Sequence, residues 1–158
     1  LDRSSAASDV YKRQVMNAAL RSELRFKDSH LPALLAALDY ESDEDSSLEE
    51  NVSDCLGDLG WYATGRKDDQ LTFEFQSYDD EEMDWEALLT LSAFLEEGSY
   101  YEERCGDYVE DADGQPRAGV VRVWMESGQL KGMTYARIPG EDGQRIRQPV
   151  GPFDPRMI

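Results

Sequence analysis

The chain has 158 residues, which is enough for one domain with a hydrophobic core but short for two. It carries 34 acidic and 16 basic residues, giving a net charge of −18 at pH 7. This charge disfavours direct binding to nucleic acid or to an anionic membrane, because both are negative. No apolar run approaches the ~20 residues that a membrane-spanning helix needs. Two cysteines and one histidine offer little for a metal cluster or a disulfide framework, so we expect a cytoplasmic protein without a cofactor.

The two ends of the chain differ in character from its middle. Residues 9–14 read DVYKRQ and resemble a translated sequencing-adapter scar of the kind found in metagenomic assemblies, and Met16 follows closely. We therefore expect residues 1–14 to be a non-native scar. Residues 16–143 are expected to form a single acidic domain, and residues 144–158 an irregular, proline-containing tail.

The first half of the domain predicts one strand, two helices and a hairpin. Apolar and charged residues alternate over 18–27, which is typical of a half-buried strand. A short helix follows, from about Ser29 to Asp39. A second helix begins at the capping-box sequence Ser47-x-x-Glu50 and ends near Gly60. Alternation then predicts a hairpin of two strands, at 61–65 and 71–76.

The second half predicts one more helix and several strands. The apolar spacing favours a helix over 81–97, capped by Asp79 or Asp80. Strands are predicted near 99–105, 120–125 and 130–138. Together the elements indicate an α+β fold, with a mainly antiparallel sheet and two or three helices on one face. Leaving out the short first helix gives the βαββαβ order of ferredoxin-like folds, followed by an added C-terminal hairpin.

Acidic residues are concentrated in the middle of the chain. Residues 28–113 hold 27 acidic and 3 basic residues, and two stretches within them contain no basic residue at all, 39–54 with 8 acids and 79–103 with 10. The same segments supply the core leucines, so the acids must lie on the outer faces of the helices. Such a surface repels nucleic acid and attracts basic proteins.

We interpret this acidic surface as a binding site for a basic protein, without enzymatic activity. One version is mimicry of the DNA phosphate array, which would block a nucleic-acid-binding protein. An immunity-type inhibitor of a basic toxin is an alternative, and acidity that serves solubility alone is another. The candidate contact residues within these stretches are Asp43, Glu44, Asp45, Glu49, Glu50, Asp79, Asp80, Glu81, Glu82 and Asp84.

Two aromatic residues complete the candidate set. Tyr62 and Trp124 fall at strand positions opposite the expected core positions, and aromatic side chains on an open sheet face can anchor a partner. The other interpretation is that a second layer, such as the C-terminal tail, covers them.

Metal-binding and catalytic patterns are weaker. The acids of 39–50 have the carboxylate spacing of a calcium loop, but Glu44 stands where that loop needs glycine, and Glu50 is explained by the capping box. A cation-binding module is therefore a minor alternative. Cys55 falls on the apolar stripe of its helix, as a buried structural thiol would. No residue is assigned a catalytic role.

The C-terminal part resembles small acidic proteins carried by phages, plasmids and conjugative elements. The resemblance spans about residues 85–138 and rests on the motifs GSYYE at 98–102, GD at 106–107, VWM at 123–125 and GQLK at 128–131. It implies an α+β fold and a mobile-element setting, and it supplies no catalytic residues. A role in interaction with a host, including anti-defence, is what this resemblance favours by analogy.

Overall fold

A computed structural model describes residues 18–76 and 81–157. The expected scar at 1–14 and the acids Asp79 and Asp80 lie outside these ranges. The described residues form seven strands, three helices and two short 3-10 turns, at Asp28–His30 and Pro155–Met157. The strands are β1 (Ala18–Lys27), β2 (Trp61–Lys67), β3 (Gln70–Phe75), β4 (Tyr100–Glu110), β5 (Pro116–Glu126), β6 (Gln129–Pro139) and β7 (Arg145–Pro152), and the helices are α1 (Leu31–Ala37), α2 (Leu48–Gly57) and α3 (Trp85–Ser92).

All seven strands belong to one antiparallel sheet with the order β2-β3-β1-β4-β5-β6-β7. The prediction of an α+β fold with a mainly antiparallel sheet is therefore confirmed, and the sheet is larger than predicted. No helix within the described ranges is long and apolar enough to cross a membrane.

The core lies between the helices and one face of the sheet. Leu24 and Phe26 of β1 are almost fully buried, and Phe73 of β3 packs edge-on against Phe26. One continuous cluster joins these residues to the inward stripes of the helices, which include Leu34, Leu56, Leu88 and Leu91. Because side chains alternate along a strand, the neighbours of the core residues point to the opposite face, which we call the open face.

Local sequence signals explain where two of the helices begin. The predicted capping box of α2 is confirmed, with Ser47 accepting from the backbone of Glu50 and the Glu50 side chain reaching back to Ser47. Helix α3 begins later than expected, at Trp85, because Asp84 provides the cap by accepting from the Ala87 N–H at 3.2 Å.

Helix α3 also ends earlier than its apolar spacing predicted. The spacing continues through Leu95, but Leu95 forms an isolated bridge with Phe26 of β1. The N–H of Glu96 donates to the carbonyl of Arg25 at 2.9 Å. Pairing with the central strand therefore takes the chain out of the helix.

The expectation of an irregular tail over 144–158 was wrong for most of that segment. Residues 145–152 form β7, which pairs with β6 along its length. Prolines disfavour a central strand because they cannot donate a backbone hydrogen bond. Strand β7 lies at the edge of the sheet, where one side of the backbone needs no hydrogen-bonded neighbour. A register shift between Thr134 and Tyr135 of β6, opposite Pro149, absorbs the irregularity.

Candidate functional site

The acids that follow helix α1 lie in an exposed but well-ordered loop. Asp43, Glu44 and Asp45 are all exposed. The Asp43 carboxylate accepts from the N–H of Asp45 at 2.9 Å, and the buried amide of Asn51 holds the Asp43 backbone with bonds of 2.8 and 3.1 Å. The Asp43 carboxylate therefore helps to fix the turn that leads into α2.

The two acids in the first turn of α2 differ in their surroundings. Glu50 is part of the capping box. Glu49 pairs with Arg66 of β2, and the same guanidinium donates to Asp28 at 2.7 Å. The hydrogen bond from Arg66 lowers the pKa of the Asp28 carboxyl. One of the few basic residues of the acidic region thus neutralises part of this end of the helix.

The other predicted acids within the described ranges lie at the opposite end of α2. Glu81, Glu82 and Asp84 come together with Asp58 and the ring of Tyr62 around a cleft of about 240 Å³, which we call the acidic cleft. The remaining described lining residues are Gly57, Leu59, Gly60, Phe75 and Gln76. Four acidic residues and two aromatic residues therefore line a single concavity that is one or two side chains in size.

Glycine residues shape this cleft. Gly60 has φ +91°, and a Cβ there would lie 2.6 Å from the Phe75 ring. Only glycine allows both this backbone conformation and this close approach. The turn brings β2 back beside the end of α2, so that Tyr62 lies close to Gly57. The segment 81–84 then closes the cleft on its way into α3.

The chemistry of the cleft suits a cation. Carboxylates pair with ammonium or guanidinium groups, and an aromatic face adds a cation–π contact. None of the described residues that line the cleft is an arginine or a lysine. Of the predicted contact residues, the structure thus brings together Tyr62, Glu81, Glu82 and Asp84.

The other predicted residues that the structure describes lie elsewhere. The group from Asp43 to Glu50 is at the far end of α2, a distance of about 15 Å for a helix of this length. Trp124 lies on the open face, because Val123 and Met125 on either side of it are in the core. It is half-buried, and its indole N–H donates to Glu126 at 3.3 Å.

Two acids of the second base-free stretch are not on the surface at all. Glu102 and Glu103 are neighbours in β4 and are 0% and 3% exposed. The expectation that the acids of 79–103 lie on outer helix faces was therefore wrong for these two, because they belong to a central strand.

Glu102 is the centre of an arginine cluster on the open face. Its carboxylate accepts from Arg21 at 3.2 Å, from Arg122 at 2.5 Å and from Arg147 at 3.0 Å. Burial by itself would raise the pKa of Glu102, but the hydrogen bonds from Arg147, Arg122 and Arg21 outweigh it and lower the pKa to about 2. We call these four residues the Glu102 cluster.

Sequence reasoning missed this cluster because its members are far apart in the chain. Glu102 lies 81 residues from Arg21 and 45 from Arg147. The available signal was the strand alternation. It puts Glu102 on the face of the sheet away from its core neighbour Tyr101, and Arg122 on the face away from its core neighbour Val123. Recognising it would have required the strand order of the sheet.

The cysteines and the candidate calcium loop add no further site. Both cysteines are free, and burial raises the pKa of Cys55 and of Cys105. Over 18–76 and 81–157, no group of three or more His, Cys, Asp or Glu side chains is arranged to hold a metal ion.

Comparisons with known proteins return nothing similar: no family model, no curated protein and no solved structure matches the chain significantly.

Proposed function

We propose that this protein is a non-enzymatic binding module that recognises a basic protein surface through the acidic cleft. The observation that carries the proposal is the convergence of Asp58, Glu81, Glu82 and Asp84 around the ring of Tyr62. A lysine or arginine side chain of a partner would enter the cleft, with its charge among the carboxylates and its stem or guanidinium plane against the tyrosine.

The long-range field of the protein supports the same partner. A net charge of −18 attracts basic surfaces and speeds their encounter, and it repels nucleic acid. The exposed acids at the other end of α2, among them Glu44, Asp45 and Glu50, extend the negative surface beyond the cleft. A partner that uses its basic surface to hold nucleic acid would be inhibited by occupation of that surface.

Two further aspects belong to the same proposal. The strand order β2-β3-β1-β4, with helices between β1 and β2 and between β3 and β4, supports a ferredoxin-like arrangement extended by β5, β6 and β7. The two free cysteines support action in the reducing cytoplasm. An anti-defence role in a phage or mobile element is the setting in which such an inhibitor would act.

The experiment compares two variants with the same change of charge. In the cleft variant, Glu81→Gln, Glu82→Gln and Asp84→Asn remove three charges from the cleft. In the control variant, Asp113→Asn, Glu141→Gln and Asp142→Asn remove three exposed charges from two loops of the C-terminal part. Binding of a fluorescein-labelled peptide of eight arginines is measured by fluorescence anisotropy at low and at physiological salt.

We expect the cleft variant to lose about tenfold in affinity and the control variant less than about twofold at physiological salt, where screening suppresses the general field. Tyr62→Leu should also weaken binding, because the cation–π contact is lost. Equal losses in the two charge variants would mean that only the total charge matters, and the acidic cleft would then be rejected as a site.

A further inference from the structure

The open face carries a second cleft whose chemistry is opposite to that of the acidic cleft. It has a volume of about 280 Å³ and is lined by Tyr100, Arg122, Trp124 and Tyr135, with Gly98, Ser99 and Met125. We call it the aromatic cleft. It contains three aromatic rings and one guanidinium group, and none of the described residues that line it is acidic.

The sheet register explains why these side chains meet. Tyr100 of β4 lies opposite Trp124 of β5, and Glu102 lies opposite Arg122 one step further along the same two strands. All four residues point to the open face, because their neighbours Tyr101, Val121, Val123 and Met125 are in the core. Tyr135 reaches the cleft from β6.

Arg122 links the aromatic cleft to the Glu102 cluster. Its guanidinium carbon lies 4.4 Å from the centroid of the Tyr100 ring, and its Nη1 donates to Glu102. A guanidinium has five N–H donors, so one bond to Glu102 leaves donors for another anion. The stacking on Tyr100 and the bond to Glu102 hold the group in place before any ligand arrives.

The balance of charge in this region is positive. Three guanidinium groups, from Arg21, Arg122 and Arg147, surround the single carboxylate of Glu102. Their side chains are 65%, 32% and 34% exposed, respectively, while that carboxylate is fully buried. Solvent therefore meets the positive part of the cluster, in a protein whose total charge is strongly negative.

We propose that the aromatic cleft binds a small ligand that carries one phosphate or carboxylate group on or near a planar ring, of about the size of a nucleoside monophosphate. The anionic group pairs with Arg122 at the border of the Glu102 cluster, and the ring stacks against Trp124 and Tyr135. Phosphate and carboxylate both match the fork of an arginine, which is the chemistry the two ligand types share.

A small ligand fits the electrostatics better than a polymer. A nucleic acid strand would bring a phosphate at every nucleotide, and most of them would lie over an acidic protein rather than over this patch. A single anionic group needs only the Arg122 guanidinium at the border of the Glu102 cluster. The ring contributes stacking on the aromatic side chains of the cleft, which a phosphate alone cannot make.

The experiment titrates the protein with four probes and follows binding by calorimetry. The probes are adenosine monophosphate, adenosine, ribose 5-phosphate and indole-3-acetate. We expect saturable 1:1 binding of adenosine monophosphate, and binding about tenfold or more weaker for adenosine and for ribose 5-phosphate, since each lacks one half of the recognised group. Indole-3-acetate distinguishes a carboxylate ligand from a phosphate ligand, and tighter binding of either one supports the proposal.

Three variants test the location. Trp124→Leu should lower the affinity for adenosine monophosphate about tenfold and leave the affinity for ribose 5-phosphate nearly unchanged. Arg122→Gln should lower the affinity for both. Arg117→Gln is the matched control, because Arg117 is on the same strand and also pairs with a carboxylate, that of Asp111 at 2.9 Å. It should change no affinity by more than about twofold.

The proposal is overturned if none of the four probes binds saturably, or if adenosine monophosphate binds equally well to wild type, Trp124→Leu and Arg122→Gln. An equal loss in Arg117→Gln and Arg122→Gln would also overturn it. Should Arg122→Gln fail to fold, as a circular dichroism melt would show, Trp124→Leu alone decides, because a half-exposed tryptophan can be replaced with less effect on folding.

Discussion

Arg147 and Glu102 form a salt bridge of 3.0 Å although two strands of the sheet separate them. Neighbouring strands are about 4.8 Å apart, so a flat sheet would place β7 roughly 14 Å from β4. The sheet is therefore curled toward its open face, so that the side chains of Arg147 and Glu102 meet across β5 and β6. The amide of Gln148 confirms the approach by accepting from the N–H of Ala112, in the turn between β4 and β5, at 3.0 Å.

The Glu102 cluster makes stability depend on pH in a defined direction. The pKa of Glu102 is about 2 in the folded protein, below its ordinary value of 4.5. A lowered pKa means that the stabilisation is complete above the ordinary pKa and is lost as the pH falls toward 2. Glu102→Gln should lower the free energy of unfolding by on the order of 3 kcal/mol near neutral pH, and by progressively less as the pH falls from about 5 to 2.

Urea unfolding of wild type and Glu102→Gln at several pH values measures this difference. Glu110→Gln, an exposed acid on the same strand, is the control and should follow wild type at every pH. If the free energies of unfolding of wild type and Glu102→Gln, plotted against pH, stay parallel across the whole range, the assigned role of the cluster is contradicted.

The shared core of the helices predicts large effects at two leucines. Leu56 of α2 and Leu88 of α3 are both fully buried in the same cluster. Either Leu→Ala change should lower the free energy of unfolding by about 2–5 kcal/mol, since it removes apolar contact and leaves a cavity. Leu48→Ala, at a 42% exposed position of α2, should cost less than about 1 kcal/mol. Denaturant unfolding distinguishes the three, and costs below ~1 kcal/mol at both buried sites would disprove the core assignment.

Alanine variants of two glycines distinguish the cost of backbone strain from the cost of steric crowding. Gly60 and Gly114 both have positive φ, +91° and +77°, but only Gly60 has a neighbour within reach of a new Cβ, the Phe75 ring at 2.6 Å. Gly114→Ala should cost about 1–2 kcal/mol from backbone strain alone. Gly60→Ala should cost about 1–3 kcal/mol more, because the ring must also move. Equal thermal midpoints for the two variants would contradict the close packing at the base of the acidic cleft.

The contacts made by β7 and by the residues after it predict that shortening the chain lowers its stability. Deleting 144–158 removes Arg147 from the Glu102 cluster and Phe153 from its contact with Trp85, whose ring centroid is 5.3 Å away. Glu102 keeps Arg21 and Arg122, but the lost ion pair, the lost packing of Phe153 and the lost β6–β7 pairing together should lower the melting temperature by several degrees. Deleting only 157–158 is the control, because Met157 is 83% exposed. An unchanged melting temperature after the longer deletion would mean that β7 contributes nothing to stability.

Sequence reasoning identified the elements whose signals are local. The capping box at Ser47 fixed the start of α2, and strict alternation identified β1. Sequence reasoning failed where distant pairing decided the outcome. Leu95 pairs with Phe26 instead of extending the helix. Strand β7 forms despite its prolines, because an edge position tolerates them.

The candidate sites divide in the same way. Acid composition alone identified Glu81, Glu82 and Asp84, but the fold was needed to bring them to Asp58 and Tyr62. Glu102 looked like another surface acid, since its three arginines lie in strands remote from it in sequence. The three arginines come together only because the sheet places β1, β5 and β7 within reach of Glu102.

The most direct test of the proposed function locates the contact itself. An isotope-labelled sample is titrated with the peptide of eight arginines at physiological salt, and backbone amide chemical shifts are followed by nuclear magnetic resonance. We predict that the largest changes fall at 57–62 and 81–84, around the acidic cleft, and that they disappear in the variant with Glu81→Gln, Glu82→Gln and Asp84→Asn. Changes of equal size over all exposed acids, including Asp113, Glu141 and Asp142, would contradict a specific site.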